Sequence, residues 1–547
     1  MTEPKEGSHT ADMKCYGSYN NLIFHFEDTV RTKGDDIAVV HNDSAIAFGD
    51  LRERALILSS EITSRFYAKF GQESVISDSE IDFMRLIAAA PIAVLLPKSV
   101  DAVVSDLAIM YSGSVFMNLD IKTPADRLKN ILNLIQPKLI ITNHKYDKLI
   151  DGYEEEIIFI DDFNAEQHQP VTESDTDSIL QRLELSIDTD PLCIINTSGS
   201  TGTPKGVILN QRSFMDFTER SREIFGFDGS EIIGSLSPIV FDIFDFELCM
   251  MMVYGSRIVL IDAMLSAFPA RLLQYIAEHK VNYLFWVPSI MVNIANMELL
   301  DKISLPDLKT VWFAGEVFPT KQFLYWYDKL HNVTFANLYG PIEITLDCTY
   351  YIVKERPEET EPLPIGKAYY NTDVLILDDD RLCKDGEPGE LCVRGTSLAM
   401  GYYNNHEKTA AAFVQNPLNK AYPETIYRTG DIVYRRSDGN IIFKGRKDSL
   451  IKHMGYRIEL GEIEHVIENE LSLVKYCCAT YDHERKEIVL FYEYETEIDE
   501  REFRKNLSKV FPAYMIPKVY IRMDILPRNA NGKIDRLMLS NKAAERN

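Results

Sequence analysis

From about Asp36 to Val317 the sequence repeats one alternation: a short apolar run, a break, then a stretch with helical periodicity. The runs are IAVLLP (92–97), KLIIT (138–142), LCIIN (192–196), RIVLID (257–262), VNYLFWVP (281–288) and TVWFAGE (310–316). Runs this short and this uniformly apolar read as strands buried on both faces, a burial that parallel sheets achieve only when helices cover both sides. Between two of them, Leu128, Ile131, Leu132 and Ile135 keep the i, i+3, i+4, i+7 spacing of an amphipathic helix. The pattern predicts an α/β fold whose large N-terminal part has helix-covered parallel sheets. After about residue 360 the texture shifts to shorter strands with Gly/Asp turns, as in LDDDRLCKDGEPGELCVRG, which predicts a smaller β-rich subdomain. The last hundred residues read as helix, strand, helix and an Asn-Gly-Lys turn, a small α+β unit. The expected division is residues 1–445 and 446–547. Acidic TESDTDS (172–178) reads as a surface connection.

Composition narrows the function classes. Over 547 residues, 58 Lys and Arg face 83 Asp and Glu, a formal net charge of −25. That field repels polyanions and no basic stripe offsets it, so nucleic-acid binding is not expected. Eight cysteines (15, 193, 249, 348, 383, 392, 477 and 478) form no CxxC pair and no zinc spacing, which reads as thiols in a reducing compartment. The N-terminus lacks an apolar h-region and no stretch offers about 20 uninterrupted apolar residues, so no membrane span is expected and the cytoplasm is the default location.

Directly after LCIIN comes Thr197-Ser-Gly-Ser-Thr-Gly-Thr-Pro-Lys-Gly206, with five hydroxyls, three glycines and a lysine between a strand and a predicted helix. Glycines admit an anion close to the backbone, hydroxyls and N–H groups donate to it, and Lys205 adds charge, so the segment reads as a phosphate-binding loop. Lys205 is followed by Gly206 rather than Ser or Thr, and the glycines fall at 199, 202 and 206. These departures exclude a Walker A loop and a GxGxxG turn.

The run TSGSTGTPKGV resembles the signature of the adenylate-forming superfamily, which comprises acyl-CoA synthetases, luciferases and the amino-acid adenylation domains of peptide synthetases. Further matches follow in order: Asn337-Leu-Tyr-Gly-Pro-Ile-Glu343, GELCVRG (389–395), Tyr427-Arg-Thr-Gly-Asp431, Gly445-Arg-Lys-Asp448, Gly455-Tyr-Arg-Ile-Glu-Leu-Gly-Glu462 and Asn531-Gly-Lys533. The similarity covers about residues 30–536. It implies ATP and Mg2+, with Thr197, Ser198, Gly199, Ser200, Thr201, Gly202 and Lys205 at the phosphates. Thr201 belongs with the catalytic set. Gly315, Glu316, Asn337, Tyr339 and Gly340 are implied around adenine, with Tyr339 stacking on it. The resemblance also assigns Asp431 to the ribose hydroxyls, Arg446 to the nucleotide and Glu343 to the metal. Lys533 is implied as the catalytic lysine that bridges substrate carboxylate and α-phosphate, and Asp448 as the hinge of a small, mobile C-terminal domain. The Gly455 turn matches the loop that lines the thiol's entry.

In VFDIFDFEL (240–248), Phe241-Asp242 with Glu247 resembles the FDxxxxE segment of amino-acid adenylation domains, where the Asp pairs with the substrate α-ammonium. On local sequence Asp242 reads equally as a helix N-cap. YGPIE and ELGEIE are closest to the peptide-synthetase and D-alanine carrier-ligase branches. The family pattern places Ile243, Phe246, Ile290, Trp312, Ala314, Leu338, Leu346 and Asp347 around the substrate, a mostly apolar pocket suited to alanine, proline or a branched residue. Asp347 either reads a side-chain hydroxyl or amine or points away. Ile342 stands where most relatives have threonine, so no polar role is carried over there. No GGDS-like serine for a phosphopantetheine arm is present, so the expected carrier protein is a separate chain. The reading is a free-standing amino-acid ligase. An acyl- or aryl-CoA synthetase and a catalytically inactive nucleotide-binding regulatory protein are the alternatives.

Overall fold

The computed structural model describes residues 19–70, 91–153, 156–163, 171–198, 204–447, 450–494, 498–528 and 534–546. Two large sheets carry the N-terminal part. In one, Thr334–Tyr339, Thr310–Phe313, Tyr283–Trp286, Ile232–Ser235, Arg257–Leu260 and Ile37–His41 run parallel in that spatial order. Antiparallel strands close both of its edges. In the other, Pro191–Thr197, Val115–Asn118, Pro91–Leu95, Leu139–Thr142 and Glu156–Phe159 are parallel. Every apolar run singled out above forms a strand of these sheets.

Burial on both faces is explicit in the register. Ile258 and Leu260 join the same core as Ile92 and Val94 of the second sheet, so that core lies between the sheets, filled by helices Leu22–Lys33, Phe48–Phe70, Val100–Ser112 and Asp242–Tyr254. Val259 and Ile261 face the opposite way, under helices Pro269–Glu278, Pro288–Asn296 and Thr320–Lys329. Ala93 and Leu95 likewise face helix Ala125–Ile135, whose buried residues are Leu128, Ile131, Leu132 and Ile135, the four that the periodicity selected. Alternating side chains of a period-2 strand thus feed two cores, giving five layers of helices and sheets.

Beyond them, Thr372–Asp378, Gly389–Gly395, Thr425–Arg435 and Ile441–Arg446 belong to a six-stranded antiparallel sheet. From Leu450 onward come the hairpin Leu450–His453/Tyr456–Glu459 and a three-stranded sheet of Tyr476–Asp482, Glu487–Glu493 and Val519–Met523, with cores of their own.

Two expectations are corrected. The phosphate loop does not lead into a helix: Lys205–Asn210 is a strand paired antiparallel with Pro191–Thr197, and the helix begins at Gln211. Lys205, Val207 and Leu209 alternate with the pleat, and the β-branched Val207 and Ile208 favour it. The TESDTDS segment is not a loop but the start of helix Glu173–Leu183, capped reciprocally by Thr172 and Asp175. Its acidic residues complement the positive end of that helix.

Candidate active site

The carboxyl ends of strands from both sheets meet at one cavity. Asn118, Thr197, Val287, Ala314, Gly315 and Gly340 line it, each at or just past the end of a strand, the usual ligand position in open α/β sheets. Gly340 is required there, because a Cβ would come within 2.2 Å of the Leu346 carbonyl oxygen. The hairpin beginning at Leu450 closes the cavity with Lys452, Gly455, Tyr456 and Arg457.

At the phosphate-loop end, Thr197 Oγ1 and both side-chain polar atoms of Asn196 are buried without a hydrogen-bond partner among the described residues. Orphaned donors beside a cavity are what an anionic ligand would satisfy. Ser198 Oγ donates to the Arg457 carbonyl at 2.6 Å and accepts the Glu459 N–H at 3.0 Å. Lys205 Nζ lies 3.6 Å from Glu459 and over the Tyr402 ring. Gly199, Ser200, Thr201, Gly202, Asp448 and Lys533 lie outside the described residues.

Asp242 is the first residue of its helix; the N-cap is Phe241, and no side-chain capping bond is made. Its Oδ2 instead accepts the Leu346 N–H at 3.2 Å, and the side chain lines the cavity. Enclosure raises its pKa to about 6, with Lys452 pulling the other way. Ile243, Ala314, Leu346 and Asp347 share that lining. Phe246, Trp312, Leu338 and Ile290 do not. Phe246 stacks on Trp312 with centroids 5.6 Å apart beneath the cavity wall, Leu338 is in the core, and Ile290 packs with the outer helices. Phe285, which does line the cavity, packs against both Phe246 and Trp312, so these rings back the wall rather than form its surface.

The nucleotide set divides similarly. Tyr339 donates its hydroxyl to Asp431, which Arg446 also pairs, bringing three of those residues together. Lys452 Nζ stands 6.0 Å from the Tyr339 ring centre. Asn337 donates to the Pro364 carbonyl at 2.8 Å, a backbone-positioning role. Glu316 is a brace: its carboxylate accepts the Ser289 N–H and the Gly455 N–H, both at 3.0 Å.

Glu343 is fully buried, and Arg457 pairs with one oxygen while Tyr402 donates to the other at 2.8 Å. Burial alone would raise this carboxyl, but Arg457 and Tyr402 outweigh it and hold it below the ordinary range. Arg457 is the residue sequence reasoning missed. Its only signal was its place in GYRIELGE, a segment read as a thiol-entry loop. Also missed were Lys452, Arg127, which pairs with buried Glu462, and Tyr514, which stacks on Tyr456 at 3.6 Å.

A family model described as "AMP-binding enzyme" matches residues 87–403, more than half of the chain. The chain belongs to the AMP-binding enzyme family. This AMP-binding enzyme is 31% identical over 532 residues to surfactin synthase subunit 1 of Bacillus subtilis, covering 96% of the chain but 14% of that protein. It likewise spans only 44% of tyrocidine synthase 1 of Brevibacillus parabrevis, at 27% identity over 94% of the chain. With zwittermicin A synthase ZmaJ of Bacillus cereus it shares 28% identity over 94% of each chain. In fold it is similar to the Vibrio cholerae adenylation domain AlmE, solved with glycyl-adenosine-5'-phosphate (TM-score 0.79, 20% identity, 96% and 98% of the two chains). Another likeness is to an artificially fused adenylation–PCP di-domain, NpsA-ThdA from Klebsiella oxytoca (TM-score 0.73, 19% identity, 92% and 94%). The protein is an ATP-dependent adenylate-forming ligase of the peptide-synthetase adenylation type. No helix among the described residues is long and apolar enough to cross a membrane.

In this AMP-binding enzyme the hairpin turn at Met454 and Gly455 has both residues at positive φ, 54° and 82°. A Cβ on Gly455 would approach Val287 Cγ1 to 2.9 Å. Gly455→Ala adds roughly 1–2 kcal/mol of left-handed strain, disfavouring the docked hairpin about ten-fold. Hydrogen exchange at the hairpin amides should speed up by about that factor.

Proposed function

We propose that this enzyme activates an amino acid as its aminoacyl adenylate and passes the aminoacyl group to the phosphopantetheine thiol of a separate carrier protein in the cytoplasm. The observation that carries the reading is Asp242, a carboxylate facing the cavity at the strand ends and held by the Leu346 N–H. A substrate α-ammonium satisfies it, whereas an acid without an amino group leaves it unpaired. The glycyl-adenosine-5'-phosphate in AlmE and the PCP domain fused to adenylation in NpsA-ThdA support the same assignment.

In the first half-reaction the substrate carboxylate, ionised near neutral pH, attacks the α-phosphorus of ATP and pyrophosphate leaves. Thr197, Ser198, Gly199, Ser200, Thr201, Gly202 and Lys205 surround the phosphates, and Lys533 bridges the carboxylate and α-phosphate, offsetting charge in the transition state. Tyr339, with Gly315, Glu316, Asn337 and Gly340 around it, takes adenine; Asp431 takes the ribose and Arg446 steadies it. In the second half-reaction the carrier thiol, as thiolate, attacks the adenylate carbonyl and AMP leaves. Residues 446–547 turn about Asp448 between the two, and the arrangement described above, with the hairpin in the cleft, serves the second.

Mg2+ fits Glu343. No group of three or more His, Cys, Asp and Glu side chains able to hold a metal occurs among the described residues, and magnesium needs none, binding one or two carboxylates plus phosphate oxygens. When bound it neutralises phosphate charge. Glu343 would hold that ion only once Arg457 had withdrawn from the same carboxylate.

ATP–pyrophosphate exchange against amino acids and simple aryl and fatty acids tests the reading. Exchange with an amino acid, followed by loading of a phosphopantetheinylated carrier in preference to free CoA, is the expected result. Exchange confined to acids lacking an amino group overturns it. Because Asp242 is ionised above about pH 6 and neutral below, the amino-acid KM should rise as pH falls through that value. In Asp242→Asn the inflection should vanish.

A further inference from the structure

Asp242 and Asp347, with Asp120, line the cavity, where a simple amino acid brings one ammonium. Asp242 has the Leu346 N–H; Asp347, 4% exposed, has no hydrogen bond to any described residue and lines the same cavity. The backbone that places it there is strained: Thr345 and Leu346 both adopt left-handed φ, 50° and 63°. Two consecutive residues of that kind, the first β-branched, persist only where the surrounding structure enforces them. Their effect is to put the Leu346 N–H on Asp242 and the next side chain beside it in the cavity.

No ion pair within 4 Å reaches Asp347 among the described residues. Lys452, on the hairpin, is the cation whose field acts on it, and it acts on Asp242 as well. Burial and the neighbouring Asp242 charge push the Asp347 carboxyl well above its ordinary range, the mark of a site short of positive charge. The buried phenols of Tyr283 and Tyr369 feel the same carboxylate, and the Tyr283 hydroxyl has no hydrogen-bond partner among the described residues. Phe285 lines the cavity and is backed by the stacked Phe246 and Trp312 rings, so aromatic side chains bound that side of the substrate space.

We infer that the substrate is a short amino acid with a second ammonium in its side chain, of the size of 2,3-diaminopropionate or 2,4-diaminobutyrate, with the α-ammonium on Asp242 and the side-chain ammonium on Asp347. This rests on the amino-acid reading above and replaces the apolar substrate expected from sequence. An apolar side chain would leave Asp347 buried and unpaired, whereas a diammonium substrate neutralises both carboxylates. Lys452 stands in for part of that charge when the hairpin is docked.

The test is ATP–pyrophosphate exchange by the full chain and by Asp347→Asn and Asp347→Ala, with 2,3-diaminopropionate, 2,4-diaminobutyrate, ornithine, 2-aminobutyrate, alanine, serine and valine. Calorimetric titration of 2,4-diaminobutyrate and of 2-aminobutyrate into each protein gives binding apart from turnover, and melting curves identify a variant that fails to fold. The near-isosteric Asp347→Asn keeps the comparison open if alanine is not tolerated. The expected result is a preference of about 100-fold or more for a diamino acid over 2-aminobutyrate in kcat/KM and in affinity, falling toward unity in both variants. Wild-type exchange that is best with an apolar or hydroxylated amino acid, with a ranking unchanged in the variants, overturns the inference and leaves amino-acid activation standing. Exchange with no amino acid at all overturns both.

Discussion

Arg457→Ala should separate the two half-reactions, slowing carrier loading by about 10²–10³-fold while pyrophosphate exchange falls far less. Glu343 is fully buried, and in the docked arrangement its charge is balanced by Arg457 and one Tyr402 hydrogen bond. Removing one member of such a pair leaves a buried charge uncompensated, at a cost of about 3–5 kcal/mol. On the proposed function that cost falls on the docked arrangement alone, because in the other the carboxylate would hold Mg2+ beside the phosphates. The population competent for transfer therefore drops by the corresponding factor. Single-turnover loading of a phosphopantetheinylated carrier, measured beside exchange on the same preparation, checks it. Equal losses in both would show that the pair supports the fold rather than the docked state.

Asp242→Ala should lower kcat/KM for the amino acid by about 10²–10³-fold, mostly through KM, with little change in the KM for ATP. The variant removes the carboxylate that the proposed function pairs with the substrate ammonium and leaves the Leu346 N–H without its acceptor; losing a charged partner at an enclosed site costs several kcal/mol. Asp242→Asn keeps an acceptor for Leu346 but not the charge, so it divides the positioning contribution from the electrostatic one. Saturation curves for each substrate in turn supply the comparison. An unchanged amino-acid KM would falsify the anchor and favour an acid without an amino group.

Much of the architecture was legible because it is written in short-range periodicity. Runs such as RIVLID and TVWFAGE can satisfy apolar side chains on both faces only inside covered sheets, and Leu128 to Ile135 can hide its stripe only against one. The strand after the phosphate loop was not legible, since the segment following Gly206 suits helix or strand locally and its partner, Pro191–Thr197, settles the matter by pairing. Thr172 with Asp175 was a capping signal passed over in favour of the polar composition around it. In the site, the motif order pointed to Asp242, Glu343, Asp431 and Arg446. The partnership of Arg457 with Glu343 spans 114 positions and has no local trace. The pocket floor escaped for the same reason: whether Trp312 and Phe246 touch a ligand or each other depends on side-chain stacking across two elements.

That stack has a consequence for how such an enzyme changes over generations. Trp312 is fully buried and touches Phe225, Phe227, Phe246, Tyr283 and Phe285, rings drawn from several separate stretches of chain. Trimming one ring leaves the others holding the floor in place and opens a void that costs about 3–5 kcal/mol. Drift toward bulkier substrates is therefore penalised at every single step, and the accessible mutational paths run along the rim, through Ala314, Leu346 and Asp347. Lineages descended from this chain should diversify in the charge and polarity of what they accept long before they diversify in its size.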